Sequence, residues 1–305
     1  MESLDSINIK LNSVMKQPNR IIYGVLLMTL ILGFFSCNKE KLQPVVSLVD
    51  EPGYQDKDTM LAVGDTIKVL IEYTWNGKHK VSEIEMKVNE RTIGNYQIDQ
   101  EQGQFNITII KGLAETEIWD FTIIDVGGNS ATISMNLTKD PNSIYKGVKY
   151  YDSIFLGAQA NISKPGFMSI SGSTYYTLEG AFNNQSKVDF FFYYNSSDKA
   201  TIASAGADIP EGVYSNLLAP GSWTVKNTSF FQKTVISMEG FFGMFHDGFL
   251  IENFDLSIAS KKANNLVAGD IYLFQLENGK KGIFYVISVD PEIDGEVNIA
   301  VKVQE

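Results

Sequence analysis

The chain has 305 residues, a formal net charge of −11 and a single cysteine, Cys37. An acidic surface repels phosphate backbones, so the composition argues against a nucleic-acid-binding protein. Because no cysteine follows Cys37, the rest of the chain cannot form an intramolecular disulfide and must rely on apolar cores, and its length predicts two domains.

An apolar run, Ile21–Phe35, follows Lys16 and Arg20 and ends just before Ser36 and Cys37. The run is shorter than the roughly 20 apolar residues that a membrane-spanning helix needs. Its basic start, its length and the small residue at its end are typical of a signal peptide.

The end of this run, FFSC followed by charged residues, resembles the lipoprotein signal of the Bacteroidetes. The resemblance implies that residues 1–36 are removed, that Cys37 becomes the lipidated first residue, and that residues 37–43 are a tether. It also implies attachment to a membrane through the lipid on Cys37, at the surface or periplasmic face of the outer membrane. An uncleaved membrane anchor and plain secretion are the alternatives. Met15 begins a shorter signal of ordinary proportions, so we expect translation to start there.

Residues 44–139 contain five runs in which apolar and polar residues alternate, and Asn76-Gly77 predicts a tight turn between two of them. Alternation with period two indicates strands with one buried and one wet face, which is typical of antiparallel sheets. The predicted strands are Thr66–Tyr73, Ser82–Asn89, Phe105–Ile109, Trp119–Ile123 and Ala131–Leu137.

Two motifs, Val63-Gly64-Asp65-Thr66 and Asp125-Val126-Gly127-Gly128-Asn129-Ser130, resemble those of a bacterial immunoglobulin-like domain. The resemblance implies a β-sandwich over residues 44–139 and implies no particular ligand. The polar segment Lys139–Ser143 contains a proline, and we place a domain boundary there.

Residues 144–305 are predicted to form a second, larger β domain of the jelly-roll kind, with a partly closed barrel as the alternative. The apolar runs Lys187–Tyr194 and Ile283–Val289 indicate strands covered on both faces. Helical patterns are weak, and the best is Glu211–Leu218. The region resembles the C-terminal part of uncharacterised Bacteroidetes lipoproteins, which implies a shared fold and no known activity. The matching stretches are Val188–Tyr194, Trp223 with Asn227-Thr228, Gly269–Phe274, Gly279–Ile283 and Val301–Gln304.

The sequence offers no catalytic constellation. Its two histidines, His79 and His246, are too few for a zinc site, no DxDxDG calcium loop is present, and no GxSxG elbow supports a hydrolase. We therefore predict no catalytic residue, no metal and no cofactor, with calcium as the alternative because it takes only oxygen ligands. Because a glycosidase needs only two suitably spaced carboxylates, a glycan-cleaving enzyme stays an alternative.

The segment Gly240–Phe249 places aromatic residues between glycines, a composition typical of a loop rather than a regular strand. Aromatic rings exposed on such a loop bind sugars or partner proteins, whereas buried ones close the end of a core. Both readings stay open from the sequence. The candidate ligand-binding residues are Phe241, Phe242 and Phe245, with Trp223 and Tyr214 as weaker candidates for the same surface.

Thr59, Thr66 and Ser153 each follow an aspartate and precede an apolar residue, a pattern similar to the O-glycosylation motif of exported Bacteroidetes proteins. Taken together, the sequence predicts an all-β, non-enzymatic lipoprotein of the cell envelope that acts as a surface binding or adhesion module for a glycan or a protein. A structural subunit of an outer-membrane assembly is the alternative, besides the glycan-cleaving enzyme.

Overall fold

A computed structural model of the protein describes residues 42–214 and 217–305. Over these residues the chain is almost entirely β, as the alternating patterns predict, with eighteen strands and three short α-helices. The predicted signal segment and Cys37 lie outside the described residues.

Residues 45–139 form eight strands in two sheets that face each other. One sheet has the order β1-β3-β6 and the other the order β2-β8-β7-β4-β5. The strands are β1 (Val45–Leu48), β2 (Thr59–Leu61), β3 (Thr66–Thr74), β4 (Val81–Val88), β5 (Arg91–Gln100), β6 (Gln102–Ile110), β7 (Thr116–Asp125) and β8 (Ser130–Lys139). We call this body the first sandwich.

The core of the first sandwich lies between its two sheets and consists of the residues that the alternation assigned to the buried face. Val69 and Ile71 of β3 pack with Ile84 of β4 and Phe121 of β7, and all four are fully buried. Full burial of one such side chain stabilises the fold by about 1.5–3 kcal/mol. The first sandwich therefore needs no disulfide.

The connection at Asn76-Gly77 differs from the predicted turn. Strands β3 and β4 belong to different sheets, so the dipeptide joins the two sheets instead of closing a hairpin. Gly77 has a φ of +81°, and the Asn76 side chain accepts hydrogen bonds from the backbone N–H groups of Lys78 and His79. The local turn chemistry is the expected one, but its place in the topology is not.

Residues 148–304 form a second body, with five strands in each of two sheets. The sheet orders are β11-β10-β12-β13-β15 and β14-β16-β17-β18-β9. The strands are β9 (Val148–Gly157), β10 (Phe167–Ser169), β11 (Thr174–Tyr176), β12 (Phe190–Asn195), β13 (Lys199–Ala203), β14 (Phe230–Lys233), β15 (Lys262–Ala263), β16 (Ile271–Gln275), β17 (Lys281–Val289) and β18 (Glu296–Gln304). The helices are α1 (Leu178–Phe182), α2 (Met238–Gly243) and α3 (Gly248–Asn253), with 3-10 turns at Gln185–Lys187 and Pro220–Ser222. We call this body the second sandwich.

Both faces of the aromatic strand β12 are covered, as its continuous apolar sequence predicts. Phe190 and Phe192 point into the core between the two sheets, where they meet residues such as Phe274. Phe191 and Tyr193 point to the opposite face, into a separate outer cluster. The period-two geometry of a strand thus divides one aromatic run between two apolar layers.

The predicted helical turn at Glu211–Leu218 is wrong for the part of that segment the structure describes. Residues 211–214 and 217–218 adopt turns and bends. Gly212 has a φ of +87°, a left-handed conformation that ends a right-handed helix. The proline before this stretch therefore opens a turn and not a helix.

Candidate functional site

The aromatic segment that the sequence marks as a loop is mostly helical. Ser237 caps helix α2 by accepting a hydrogen bond from the Gly240 N–H, and the helix carries the first two phenylalanines of the segment. Phe241 is fully buried in a cluster on the outer face of the sheet that contains β16, β17 and β18, whereas Phe242 is 47% exposed. Phe245 is half-buried, with its ring centroid 4.7 Å from that of His246.

A buried lysine holds the C-terminal end of α2. The Lys302 Nζ donates hydrogen bonds to the carbonyl oxygens of Phe242, at 2.7 Å, and Met244, at 2.6 Å. It also lies 5.3 Å from the ring centroid of Tyr150 and 5.5 Å from that of Phe241. Burial lowers the pKa of Lys302. A cation at this end of a helix interacts favourably with the last carbonyl groups, so Lys302 stabilises the end of α2.

His246 lies where the two sandwiches meet. Its ring stacks on Tyr145 with a centroid distance of 5.2 Å, and a Cβ added to Gly64 of the first sandwich would lie 3.0 Å from its Nε2. The next residue, Asp247, is buried and accepts hydrogen bonds from the Lys146 N–H and from the Gln304 side chain. Part of the predicted binding segment is therefore an interdomain contact.

Trp223 and Tyr214 do not share a surface with these phenylalanines. Trp223 is buried and Tyr214 partly buried in the outer cluster beside β10 and β12, which belong to the other sheet of the second sandwich. Both rings lie 5.8 Å from that of Phe167. The structure thus separates the five aromatic candidates into two groups on opposite sheets.

Tyr214 lines a surface cleft of about 390 Å³, which we call the Tyr214 cleft. Its apolar lining consists of Ala158, Ile162, Pro165, Phe167, Leu178 and Tyr214. The polar lining comes from the segment that follows β9 and from the residue that caps α1: Gln159, Asn161, Ser163, Lys164 and Thr177. A cleft of this size, partly apolar and with a few polar groups, has the character of a small-ligand site.

The walls of the Tyr214 cleft are fixed by hydrogen bonds to backbone groups. Gln159 pairs with both the N–H and the C=O of Tyr194, at 3.0 and 2.6 Å. Asn161 accepts from the N–H groups of Ser163 and Lys164 and donates to the carbonyl oxygen of Gly295. Such side chains lose little further freedom when a ligand binds, which favours affinity.

Tyr214 itself is free to interact with a ligand. Within the described residues its hydroxyl makes no hydrogen bond, and burial of the ring raises its pKa, so it stays a neutral donor and acceptor at physiological pH. The ring packs against Phe167 and Phe191, with centroid distances of 5.8 and 5.9 Å. The arrangement places an aromatic ring with a polar tip in the lining of the cleft.

The three residues in O-glycosylation-like motifs lie on strands. Thr66 and Ser153 are exposed and Thr59 is half-buried. Two of the preceding aspartates have structural partners: Asp58 accepts two hydrogen bonds from Asn136, and Asp65 accepts one from the Ala62 N–H. The Ser153 hydroxyl donates to the Asn298 side chain at 2.8 Å.

Two further observations bear on the predicted classes of site. Among residues 42–214 and 217–305, no three or more His, Cys, Asp or Glu side chains come together as a metal site would require. In the same part of the chain, none of the helices has the length and apolar character needed to cross a membrane.

His79 lies in the connection between β3 and β4, close to Asp125 and Gly127.

Comparison with known proteins does not assign the chain to a family. No family model matches the chain, and no curated protein matches it. Among solved structures, a DUF4466 family protein from Parabacteroides merdae is 12% identical with a TM-score of 0.47, over 86% of this chain and 99% of that one. A fibronectin(III)-like module structure from Clostridium thermocellum CbhA is 10% identical with a TM-score of 0.24, over 32% and 97%. A calcium-binding mutant of Bacteroides uniformis beta-glucuronidase 2 is 9% identical with a TM-score of 0.22, over 87% and 30%.

Proposed function

We propose that this chain is a lipid-anchored protein of a bacterial cell envelope that binds a glycan in the Tyr214 cleft without cleaving it. One observation carries the proposal: the ring of Tyr214, whose hydroxyl makes no hydrogen bond to any described residue, lines a concave space of about 390 Å³. Sugars present apolar C–H faces to such rings and hydroxyl groups to polar walls. A protein partner would be expected to use a flatter and larger surface.

Ligand screening of the purified chain on a glycan array, followed by calorimetric titration of the best glycan, tests the proposal. We expect Tyr214→Ala to weaken binding at least tenfold and Tyr214→Phe to weaken it less, because phenylalanine keeps the ring and loses only the hydroxyl. Phe242→Ala is the matched control, since it removes a half-exposed ring from helix α2, which packs on the other sheet. Absence of glycan binding, or an unchanged affinity of Tyr214→Ala, would favour the structural-subunit alternative.

The anchor rests on the sequence around Cys37 and is tested separately. We expect labelled palmitate to be incorporated into the chain in a bacterial host and to be lost from Cys37→Ser. Equal labelling of the variant would remove the proposed location while leaving the proposed glycan site untouched.

One observation favours the alternative of a glycan-cleaving enzyme. Asp189 and Glu277 line a second cleft of the second sandwich, so two carboxylates face one open space. A glycosidase requires two such groups about 5–9.5 Å apart. Release of reducing sugar from an array-positive oligosaccharide, abolished by Glu277→Gln, would replace the binding proposal with an enzymatic one.

A further inference from the structure

The second cleft lies at one end of the second sandwich and has a volume of about 440 Å³. We call it the Asp189 cleft. Its walls come from the turn after β10, the 3-10 turn before β12, the segment before β14 and the turn between β16 and β17. The lining residues are Ser169, Ser171, Gly172, Ser186, Lys187, Asp189, Asn227, Glu277 and Asn278.

Asp189 is the unusual member of this lining, because it is a nearly buried carboxylate with one oxygen that accepts no hydrogen bond from any described residue. The residue is only 7% exposed. Its Oδ2 accepts hydrogen bonds from the N–H groups of Ile170, at 2.7 Å, and Ser171, at 3.4 Å. Within the described residues no donor reaches Oδ1. Burial raises the pKa of Asp189, so ionisation of this carboxyl is costly without a partner.

The charged side chains of the cleft lining are two carboxylates, Asp189 and Glu277, and one ammonium group, Lys187. The Asn227 side-chain N–H₂ is used within the protein, donating to the carbonyl oxygens of Ser186 and Val188 at 2.9 and 3.1 Å. Glu277 accepts one backbone N–H, from Thr228, through its Oε2. Lys187 is exposed, and in the described part of the chain Asp189 has no ion pair within 4.0 Å. The cleft therefore has a net negative lining.

We propose that the Asp189 cleft binds a primary ammonium group, with Asp189 Oδ1 as the main acceptor and Glu277 as a second. An ammonium group carries three donors and a positive charge, so it supplies both the hydrogen bond and the charge that the buried carboxylate lacks. Among the described residues no three His, Cys, Asp or Glu side chains come together, so the two carboxylates of the cleft suit a singly charged cation better than a divalent one. An amino sugar and a lysine side chain both carry this group. The proposal does not depend on the Tyr214 cleft.

Calorimetric titration of the purified chain with two matched pairs of small molecules tests the proposal and separates the two sources. The first pair is glucosamine and glucose, which differ by an ammonium and a hydroxyl group. The second pair is Nα-acetyl-lysine methylamide and its norleucine counterpart. We expect at least one amine to bind and its uncharged counterpart to bind at least tenfold more weakly. No binding of either amine at millimolar concentration, or equal binding within each pair, would overturn the proposal.

Two variants assign the binding to this cleft. Asp189→Asn keeps an oxygen for the Ile170 N–H and turns an N–H₂ group toward the ligand, so we expect at least a tenfold loss of amine binding. Glu277→Lys changes an exposed residue and brings a competing cation to the cleft, and it gives an independent result if Asp189→Asn folds poorly. Asp208→Asn is the matched control, because it neutralises an exposed aspartate that lines neither cleft, and it should leave amine affinity unchanged. Unchanged amine binding in both cleft variants would refute the assignment.

Discussion

Replacing Phe241 and Phe242 one at a time with alanine tests whether the aromatic segment is core or surface. The two residues are neighbours in sequence and both contact Tyr285, with ring centroids 5.8 and 5.9 Å away. They differ in burial, because Phe241 has no exposed surface and Phe242 is 47% exposed. If the segment belongs to the core, Phe241→Ala should therefore destabilise the protein much more than Phe242→Ala, although both replace phenylalanine with alanine.

The magnitude follows from the burial of each ring. Truncating a fully buried phenylalanine costs about 3–5 kcal/mol, since a cavity remains. Phe242 already has about half of its surface in water, so its truncation is expected to cost about 1 kcal/mol. At about 2–4 °C for each kcal/mol, Phe241→Ala should lower the melting temperature by about 10 °C and Phe242→Ala by about 3 °C.

Thermal and urea unfolding of the purified variants measure this difference, with an unchanged urea m-value as a sign that unfolding is comparable. Phe241→Leu is the matched control, because it retains an apolar side chain and should recover much of the loss. Equal destabilisation by the two alanine variants would refute the reasoning. Loss of glycan binding in Phe242→Ala, with normal stability, would instead restore the segment as a ligand site.

Three further changes test the interior and the junction of the sandwiches. Gly64→Ala should lower the free energy of unfolding by about 2 kcal/mol and should cost more than Gly53→Ala. Both glycines have φ near +90°, but of the two only Gly64 lies against a neighbouring side chain, the ring of His246. Equal losses would mean that this contact is unimportant. Lys111→Met should lower the free energy of unfolding by about 3–5 kcal/mol, because it leaves the carboxylate of Glu117 buried without the Lys111 ammonium that lies 3.0 Å away. Adding Glu117→Gln to the same chain should recover part of this loss. Burial raises the pKa of Asp189 in the folded state, so its contribution to stability is present at low pH and lost as the pH rises through that pKa. The stability of Asp189→Asn relative to the unchanged chain should therefore increase between pH 3 and pH 8, and a constant difference in unfolding free energy would contradict this.

Most strands of the first sandwich could be predicted because each alternating run has one buried, apolar face. The exceptions are the short strands β1 and β2 and the long strand β5, Arg91–Gln100, which the alternation missed. Most residues of β5 are exposed, and it forms the edge of its sheet, so no apolar stripe marks it. An edge strand is held mainly by backbone pairing, which leaves little trace in the side chains. Here strand β5 pairs with β4 along most of its length.

The second sandwich shows why the candidate site was harder to predict. The segment around Phe241 has the composition of a loop, yet Ser237 and the buried Lys302 stabilise a short helix there. Lys302 lies on an alternating strand whose polar positions suggest a wet face, but α2 covers that face. The Lys302 contacts join residues about 60 positions apart, so no local pattern contains them. The Ser237 cap is local, and a serine three residues before Gly240 was a usable signal for the start of a helix.

Asp189 was also missed, although the sequence contained a signal for it. It is the one acidic residue in the apolar run Val188–Tyr194. A carboxylate inside a strand covered on both faces must be buried, and a buried carboxylate needs donors or a ligand. The pattern could therefore predict an unusual group. It could not predict that Ile170 and Ser171 satisfy only one of its oxygens, because that depends on how β10 pairs with β12.

The short strand β10 connects the two proposed sites and determines how their variants must be interpreted. Phe167 at its start lines the Tyr214 cleft and Ser169 at its end lines the Asp189 cleft. Residues two apart in a strand lie on the same face and about 7 Å from each other. A variant that distorts β10 would therefore weaken both ligands together, whereas direct loss of a contact affects one. Selective loss of glycan binding in Tyr214→Ala and of amine binding in Asp189→Asn would separate the two sites, and parallel loss in both variants would indicate disruption of the strand.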